Sequence, residues 1–390
     1  MKTDYLILGS GMQGTAAAYD LARFADPASI TLADRELGPA TRAAERVNRL
    51  VGGEIARPLA LDALDLAALV PALEPVDVLL SCVPYWMHPR IAVGAIAART
   101  HMLDLGGNTD VTLQTLALDA EAKAAGVTLI PDCGLAPGLV NSLAVALMER
   151  FDATESIRLY CGVLPQNPVP PFNYKVTFNV EGLVAEYDYE AVILREGKIA
   201  SVPTLTELET LDDTPLGTLE AFVTSGGTST APMTFEGQMT DYEYKTFRFP
   251  GHCERMRLYK EFGLWREDEI EVPCAGGSVR VRPKDVFVRV FGEELAKIED
   301  RDQCVIRAVG VGTRNGERVT ERIDMHDRED EATGFTSMER LTGFSLAIHA
   351  AWVAAGSIPA GAIRYENATK GLAFIEEIRR RGVDVTTSWS

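Results

Sequence analysis

Three glycines near the N-terminus have the spacing of a phosphate-binding loop. They form the pattern Gly-x-Gly-x-x-Gly, directly after an apolar run at residues 5–8 and before an alanine-rich stretch typical of a helix. In this order of strand, turn and helix, the first glycine permits a tight turn, the second admits a pyrophosphate, and the third lets helix and strand pack closely. The phosphate would lie on unpaired N–H groups at the positive end of the helix. The sequence therefore predicts a dinucleotide site that includes Gly9, Gly11, Met12, Gln13 and Gly14.

An acidic residue follows this motif at the distance that the dinucleotide fingerprint requires. Asp34 ends a second apolar run at residues 30–33. A carboxylate there accepts a hydrogen bond from the ribose 2′-hydroxyl of NAD and repels the 2′-phosphate of NADP. The neighbouring Arg35 could instead pair with that phosphate. We expect NAD as the cofactor, with NADP as the less favoured alternative.

The elements that would position this site are repeated βα units. Strand-like runs alternate with helical patterns, which indicates a parallel sheet with helices on both faces. The further strands are predicted at residues 54–58, 76–82, 101–104 and 127–130, and the helices include 39–50, 61–73 and 112–125. Ligands of such sheets bind at the carboxyl ends of the strands. The residues at those ends are Ser81, Cys82, Val83 and Pro84, then Asp104 and Gly106, then Asp132 and Cys133.

Each of these strand ends also has a purely structural interpretation. The segment at residues 81–84 could be a plain turn, although we expect it to pack against the nicotinamide ribose and ring. Asp104 and Asp132 could accept hydrogen bonds from the backbone of their own turns. Cys133 more often fills a small apolar niche than acts as a nucleophile.

Composition limits the classes of partner. The chain has 390 residues, a length that fits two or three domains, and its formal net charge of −18 disfavours nucleic acid and anionic membranes. The six cysteines contain no CxxC pair and the five histidines no paired spacing, so we expect reduced thiols and no metal site. No signal peptide or bilayer-spanning run is evident, which predicts a cytoplasmic protein.

The pattern of the chain changes near residue 151. Residues 151–335 carry alternating, β-branched and aromatic runs, including 173–180 and 244–249, which indicates a mixed α+β substrate domain. Asn315-Gly316 is a strong hairpin signal. The tail turns helical again at 336–355 and 369–381. We therefore expect a Rossmann-type domain at 1–150, a substrate domain at 151–335 that also serves oligomerisation, and a C-terminal segment at 336–390.

Three motifs make the chain similar to a known superfamily. Residues 77–84 read DVLLSCVP, 104–109 read DLGGNT and 131–141 read PDCGLAPGLVN. With the glycine motif, they resemble the saccharopine dehydrogenase-like superfamily. Within it, the chain is most similar to the L-lysine 6-dehydrogenase group, because Ala136 stands where saccharopine and carboxynorspermidine dehydrogenases usually carry Asp. The blocks at 160–179, 245–252 and 335–344 carry the same resemblance.

The resemblance implies oxidation at a side-chain amine. Hydride would leave the ε-carbon of L-lysine for NAD, and the imine would hydrolyse to a semialdehyde that cyclises. It also implies C-terminal helices that return to the Rossmann domain, and a homo-oligomer. The nearest alternative is a dehydrogenase or reductase of the superfamily that acts on a saccharopine-like or carboxynorspermidine-like secondary amine. A dinucleotide-binding sensor without turnover is the alternative from another class.

This chemistry needs a neutral amine and a grip on a carboxylate. Losing the proton of a lysine-like ammonium at pH 7 costs about 4.6 kcal/mol, which a base or desolvation must offset. The candidates for proton handling are Lys175, on the predicted strand at 173–180, His252, which would titrate near neutrality, and Asp132. The candidates for substrate binding are Arg248, Tyr174 and Cys133, with Arg340 as a weaker second carboxylate partner. His349 is expected in the core or at an interface.

Overall fold

The computed structural model describes residues 2–389, and its N-terminal third is built on a parallel sheet. The strands are β1 (Asp4–Leu8), β2 (Ser29–Asp34), β3 (Ala56–Ala60), β4 (Val78–Ser81), β5 (His101–Asp104) and β6 (Thr128–Ile130). Their order, β6-β5-β4-β1-β2-β3, is that of a dinucleotide-binding fold. A strand from the C-terminal part of the chain, Gly361–Ala362, adds to the edge of β6 in parallel. The predicted Rossmann-type sheet is confirmed.

Helices connect these strands. They are α1 (Met12–Phe24), α2 (Leu37–Val51), α3 (Leu66–Leu73), α4 (His88–Ala98), α5 (Thr109–Leu116) and α6 (Asp119–Ala125), with one 3₁₀ turn at Tyr85–Met87. The helix predicted at 112–125 is in fact two helices. The first begins where the Asn108 side chain accepts a hydrogen bond from Val111 N, and Ala117 and Leu118 separate it from the second.

The second sheet is mixed and contains most of the remaining strands. Its strands are β7 (Ala153–Pro165), β8 (Ala191–Arg195), β9 (Lys198–Val202), β10 (Glu209–Thr214), β11 (Gly217–Val223) and β12 (Asp241–Arg248), then β15 (Asp302–Arg314), β16 (Glu317–Arg328) and β18 (Asp384–Ser388). Between these in sequence, β13 (Ile270–Cys274) and β14 (Gly277–Val281) form a separate hairpin, and β17 is the Gly361–Ala362 strand. The main order is β10-β11-β12-β7-β15-β16-β18, with β8 pairing β12 and β9. Asn315-Gly316 joins β15 to β16, as predicted.

The helices of this half and of the tail complete the fold. They are α7 (Leu139–Met148), α8 (Val180–Asp188), α9 (Ala231–Phe235), α10 (His252–Glu261), α11 (Pro283–Leu295), α12 (Ser337–Ala354), α13 (Tyr365–Ala368) and α14 (Gly371–Arg380). α7 and α14 pack together, and α7 lies on the mixed sheet. α12 packs on α1 so closely that a Cβ at Gly343 would meet Ala16 Cβ at 2.8 Å. The predicted return of the C-terminal helices to the Rossmann-type part of the chain is therefore confirmed.

A buried ion pair joins the tail to α1. Arg381 donates to both carboxylate oxygens of Asp20, at 2.6 and 2.8 Å, and neither side chain reaches solvent to any extent. His349 on α12 lies in the core, as expected, with Nδ1 2.9 Å from the Ser345 carbonyl oxygen. Among residues 2–389, no helix combines the length and the apolar character needed to span a bilayer.

The prediction of a strand at residues 173–180 is wrong. The segment is irregular, Asn173 has a φ of 52°, and Asn179 caps α8 by accepting from Glu181 N. The alternating aromatic residues do turn one face inward, where Tyr174 packs with residues of α8, α10 and α11. However, no described strand pairs with this segment through a ladder of hydrogen bonds, so the alternation indicates burial and not strand pairing.

Candidate functional site

The glycine loop has the geometry that a bound pyrophosphate requires. Gly9 has a φ of 92°, and a Cβ there would come 2.5 Å from the Cys82 carbonyl oxygen. A Cβ at Gly14 would overlap the Gly9 carbonyl oxygen, whereas a Cβ at Gly11 would meet nothing within 4 Å. Two glycines are therefore required by the fold itself, and the third leaves its surface open to a ligand.

The start of α1 has unused hydrogen-bonding groups. No side chain caps its N-terminus at Gly11. The Ser10 hydroxyl and the Gln13 amide oxygen are buried, and neither has a partner among residues 2–389. Met12 is 52% exposed beside them. Free N–H groups at a helix N-terminus and the Ser10 hydroxyl can donate hydrogen bonds to the phosphates of a nicotinamide dinucleotide.

Asp34 lies beside this loop at the end of β2. Its Oδ2 accepts a hydrogen bond from Ser10 N at 3.1 Å, which holds the half-buried carboxylate next to the glycine turn. Arg35 is exposed and has no partner in the described part of the chain. Both an acceptor for a ribose hydroxyl and a free cation for a phosphate are thus present at the same corner.

The end of β4 lies next to the same loop. Leu8 pairs with Ser81 across β1 and β4, and Cys82 N donates to the Leu8 carbonyl at 2.7 Å. The Val83 side chain lies within 3.3 Å of the position of a Gly9 Cβ, and Pro84 is exposed beyond it. The segment at 81–84 therefore lies at the cofactor edge of the sheet.

Asp104 supports the turns around it. Its Oδ1 accepts from Gly106 N at 2.8 Å and from Asp132 N at 3.2 Å, as in the structural interpretation of this residue. Gly106 has a φ of 71°, and a Cβ there would overlap the Asp132 carboxylate. The buried Asp132 side chain that lies against this glycine is enough to require it, and the role of Gly106 in cofactor binding stays a prediction.

Asp132 connects the two halves of the molecule. It has a φ of 66°, and its carboxylate accepts from Thr112 Oγ1 at 3.0 Å and from Ser229 Oγ of the mixed-sheet half. Burial, together with the charge of Asp104, raises the pKa of Asp132 to about 7. A carboxyl that titrates near neutrality at a strand end is a candidate for moving a proton.

A second group of predicted residues gathers around Arg248, and we call it the Arg248 cluster. Its members are Tyr174, Glu186, Tyr187, Arg248 and His252. Arg248 is buried, and its Nε donates to Tyr187 Oη at 2.9 Å while its Nη1 donates to the Phe247 carbonyl. Its guanidinium lies 5.0 Å from the centre of the Tyr174 ring. His252 Nε2 is 3.1 Å from Tyr187 Oη.

A loop leads from the surroundings of this cluster to Asp132. Side chains alternate along a strand, so Tyr244, Thr246 and Arg248 share one face of β12. Thr246 Oγ1 is 2.7 Å from Thr224 Oγ1 at the start of the loop 224–229. That loop passes against the Tyr244 ring at Gly227 and ends at Ser229 on Asp132. One face of β12 and the carboxyl edge of the parallel sheet are thus bridged by a single segment.

The expectation that His252 titrates near neutrality is wrong. Burial, and then the positive charge of Arg248, lowers its pKa to about 3. The imidazole is therefore neutral at physiological pH. It contributes an uncharged hydrogen-bonding group to the cluster through Nε2, which faces Tyr187 Oη.

Three other predicted residues are placed away from this arrangement. Lys175 points away from the cluster and donates to the Asp300 carbonyl at 2.5 Å, so the structure does not bring it together with Arg248. Cys133 is fully buried in the core of the parallel-sheet half, with Sγ 3.4 Å from the Ile130 carbonyl. Arg340 is held by both oxygens of Asp327, at 3.1 and 3.3 Å. The substrate-binding interpretation of Cys133 and Arg340 is therefore corrected to a structural one.

Sequence reasoning missed Glu186 and Ser229. Glu186 is a helical glutamate within a run of mixed residues, and Ser229 lies in a loop of small polar residues. No local sequence pattern distinguishes either residue. Glu186 matters because it lies beside Arg248, and Ser229 because it donates to Asp132, and both partners are distant in sequence.

Two family models match the chain. Residues 5–130 match the saccharopine dehydrogenase NADP binding domain, and residues 134–383 match the saccharopine dehydrogenase C-terminal domain. Curated relatives include saccharopine dehydrogenase [NADP(+), L-glutamate-forming] of Saccharomyces cerevisiae, 28% identical over 208 residues, and that of Pyricularia oryzae, 28% identical over 170 residues. The alignments cover 52% and 42% of this chain, respectively, and 44% and 37% of those relatives. The chain therefore matches less than half the length of these relatives.

A more distant relative and a solved structure extend the comparison. Mitochondrial alpha-aminoadipic semialdehyde synthase of Bos taurus is 27% identical over 202 residues, covering 49% of this chain and 22% of that protein. The structure of apo saccharopine dehydrogenase (L-Glu forming) from Saccharomyces cerevisiae superposes with a TM-score of 0.79 at 19% identity, covering 99% of this chain and 100% of that one. This likeness shows a shared fold.

Proposed function

Because the chain belongs to the saccharopine dehydrogenase family, we propose that it is a nicotinamide-dinucleotide-dependent oxidoreductase that acts on a carbon–nitrogen bond of an amino acid. The glycine loop and Asp34 supply the dinucleotide site, and the bound cofactor would supply the hydride acceptor. The observation that carries the proposal is the 224–229 loop, which joins the carboxyl edge of the parallel sheet to the face of β12 that holds a buried guanidinium.

We propose L-lysine as the substrate, oxidised at the ε-carbon to a semialdehyde that cyclises. The Arg248 cluster contains one buried guanidinium beside one carboxylate, Glu186. Such a site suits a substrate with a single carboxylate and amines at both ends of an aliphatic chain. Ala136, within the GLAPGLVN motif, supports the same choice through the resemblance to the L-lysine 6-dehydrogenase group.

The amine proton would leave through Ser229 and Asp132. Ser229 Oγ donates to the Asp132 carboxylate, so an amine that donates to Ser229 would be one hydroxyl away from a group with a pKa of about 7. Such a relay offsets part of the cost, about 4.6 kcal/mol, of neutralising an ammonium at pH 7. His252, being neutral, would add no positive charge that opposes the approach of the amine.

A saccharopine-like secondary amine is the second candidate. The fungal relatives, which are saccharopine dehydrogenases, favour it. A substrate with additional carboxylates needs additional cations, and Arg255 offers one. Its Nη1 is buried and without a partner in the described chain, and it lies close to Gly251, next to His252.

We propose NAD as the cofactor on the strength of Asp34, whose position beside Ser10 N suits a ribose hydroxyl. The NADP named by the family model and by the fungal relatives favours the alternative, NADP, and Arg35 is the cation that would bind its 2′-phosphate.

We also propose a homo-oligomer. Val272 and Val279 of the separate β13–β14 hairpin are exposed, and such a hairpin is marginally stable without a partner. Sedimentation velocity measures this directly.

The experiment is a spectrophotometric assay of reduced cofactor. The purified protein is incubated with NAD⁺ or NADP⁺ and with L-lysine, L-ornithine, L-saccharopine or a diamine. Reduction with lysine alone supports the first proposal, and reduction with saccharopine alone supports the second. Absence of reduction with every amine and both cofactors refutes the enzymatic function and leaves a dinucleotide-binding sensor.

A further inference from the structure

We propose that Glu186 and Arg248 together bind the α-ammonium and α-carboxylate of the substrate, so that the Arg248 cluster selects an α-amino acid by its zwitterionic head. This assignment rests on the proposed function. It names the specificity-determining residues of that site and leaves the proton relay at Asp132 as a separate matter.

Glu186 and Arg248 form an incomplete pair. Glu186 Oε2 is 3.8 Å from Arg248 Nη2, which is too far for a hydrogen bond. Arg248 Nε donates to Tyr187 and Nη1 donates to the Phe247 carbonyl, whereas Nη2 has no hydrogen-bond partner among the described residues and can donate to a ligand. No residue among those described donates a hydrogen bond to the Glu186 carboxylate. Each charged group therefore has capacity that the protein leaves unfilled.

The surroundings make Glu186 accessible to a ligand but poorly solvated. Its side chain is 31% exposed, although protein on several sides raises its pKa to about 7. Its backbone carbonyl accepts from Ser225 N at 2.9 Å, which fixes the end of α8 against the 224–229 loop. A carboxylate held in place beside a buried guanidinium presents opposite charges side by side, and an α-amino acid head presents the same two charges in the opposite order.

The direction of β12 indicates the path that the aliphatic side chain of the substrate would take. Tyr244 lies on the same face as Arg248 and four residues earlier, roughly 13 Å away at 3.3 Å per residue. An extended aliphatic side chain that leaves the head group at Arg248 would follow this face toward Tyr244 and the loop that ends at Ser229. The reacting end would thus point along β12 toward the loop that ends at Ser229, while the head stays at Glu186.

Substrate analogues separate this role from a merely structural one. 6-Aminohexanoate has the carboxylate and the ε-amine of lysine but lacks the α-ammonium, whereas cadaverine keeps both amines and lacks the carboxylate. For the wild-type protein, we expect kcat/KM for L-lysine to exceed that for 6-aminohexanoate by about tenfold to a hundredfold, the worth of one charge-assisted hydrogen bond. This comparison needs no variant.

The decisive variant is Glu186→Gln, which keeps the size of the side chain and removes its charge. We expect kcat/KM for L-lysine to fall by about tenfold to a hundredfold, mainly through KM, while kcat/KM for 6-aminohexanoate changes by less than about threefold. Glu181→Gln, at an exposed position of the same helix, is the matched control and should change neither value.

Equal losses on both substrates, or a wild-type protein that prefers 6-aminohexanoate or uses it equally well, would overturn the assignment. Unchanged kinetics of Glu186→Gln with lysine would do the same and leave the proposed function standing. A wild-type protein that oxidises no amine would remove the proposed function, and this assignment with it.

Discussion

Replacing Gly11 with alanine should weaken dinucleotide binding while leaving the fold intact. A Cβ at this position meets nothing within 4 Å, so the folded protein has room for it. Alanine is a poorer N-terminal cap than glycine, which costs about 0.5–1 kcal/mol and moves the melting temperature by about 2 °C at most. The added methyl group occupies the space through which a pyrophosphate would reach the backbone, and we expect Kd for the dinucleotide to rise by about tenfold or more.

Gly9→Ala is the contrasting variant. Its Cβ would lie 2.5 Å from the Cys82 carbonyl oxygen, at a φ of 92° that L-residues rarely adopt, so about 1–3 kcal/mol of folding free energy should be lost. Gly52→Ala is the control. Gly52, at the C-terminal end of α2, also has a positive φ, 72°, but a Cβ there would meet nothing within 4 Å, so this variant measures the cost of the backbone conformation without a clash. Calorimetric titration with NAD⁺ and NADP⁺, together with thermal melting, measures both quantities. Wild-type affinity in Gly11→Ala, or wild-type stability in Gly9→Ala, would refute the reasoning.

Three further predictions concern single side chains. Arg35→Ala should lower affinity for NADP⁺ by about tenfold or more and leave NAD⁺ binding nearly unchanged, as titration with each cofactor would show; equal effects on both would contradict this. The raised pKa of Asp132 means that the folded protein keeps a proton the unfolded chain releases, so stability is full below about pH 4 and declines as pH rises through 7. Asp132→Asn should therefore gain stability relative to wild type between pH 4 and 8, by up to about 4 kcal/mol, and a pH-independent difference in denaturation midpoint would be inconsistent with it. Arg340→Met leaves Asp327 buried without its cation, so unfolding free energy should fall by about 3–5 kcal/mol with no change in KM; a raised KM would restore Arg340 to the substrate site.

The sequence predicted those features whose causes are local. The glycine motif and Asp34 are recognised within a short stretch, because a tight turn, a helix start and a strand end each impose their own residue types. The alternation of β and α patterns likewise predicted the parallel sheet. The strand expected at 173–180 failed because alternation reports which side chains are buried, whereas a strand also needs a neighbouring backbone that only the whole fold provides.

The same division applies to the candidate site. Arg248 and Tyr174 are placed together as expected, but Glu186 carries no mark in its own helix and becomes meaningful only beside Arg248. His252 has the residue type of a proton donor, yet the burial that would reveal its lowered pKa comes from partners such as Tyr187. Electrostatic roles depend on surroundings that a linear pattern does not contain.

The route of the chain between the two sheets restricts how the lobes move. The backbone passes from the parallel sheet to the mixed sheet after β6 and returns to the parallel sheet, as β17, after β16. It then crosses a third time and ends in the mixed sheet as β18, which pairs with β16. Three connections therefore tie the lobes. Any hinge closure of the lobes would therefore have to bend all three crossings together, so the backbone near the ends of β6, β16 and β17 would share the change.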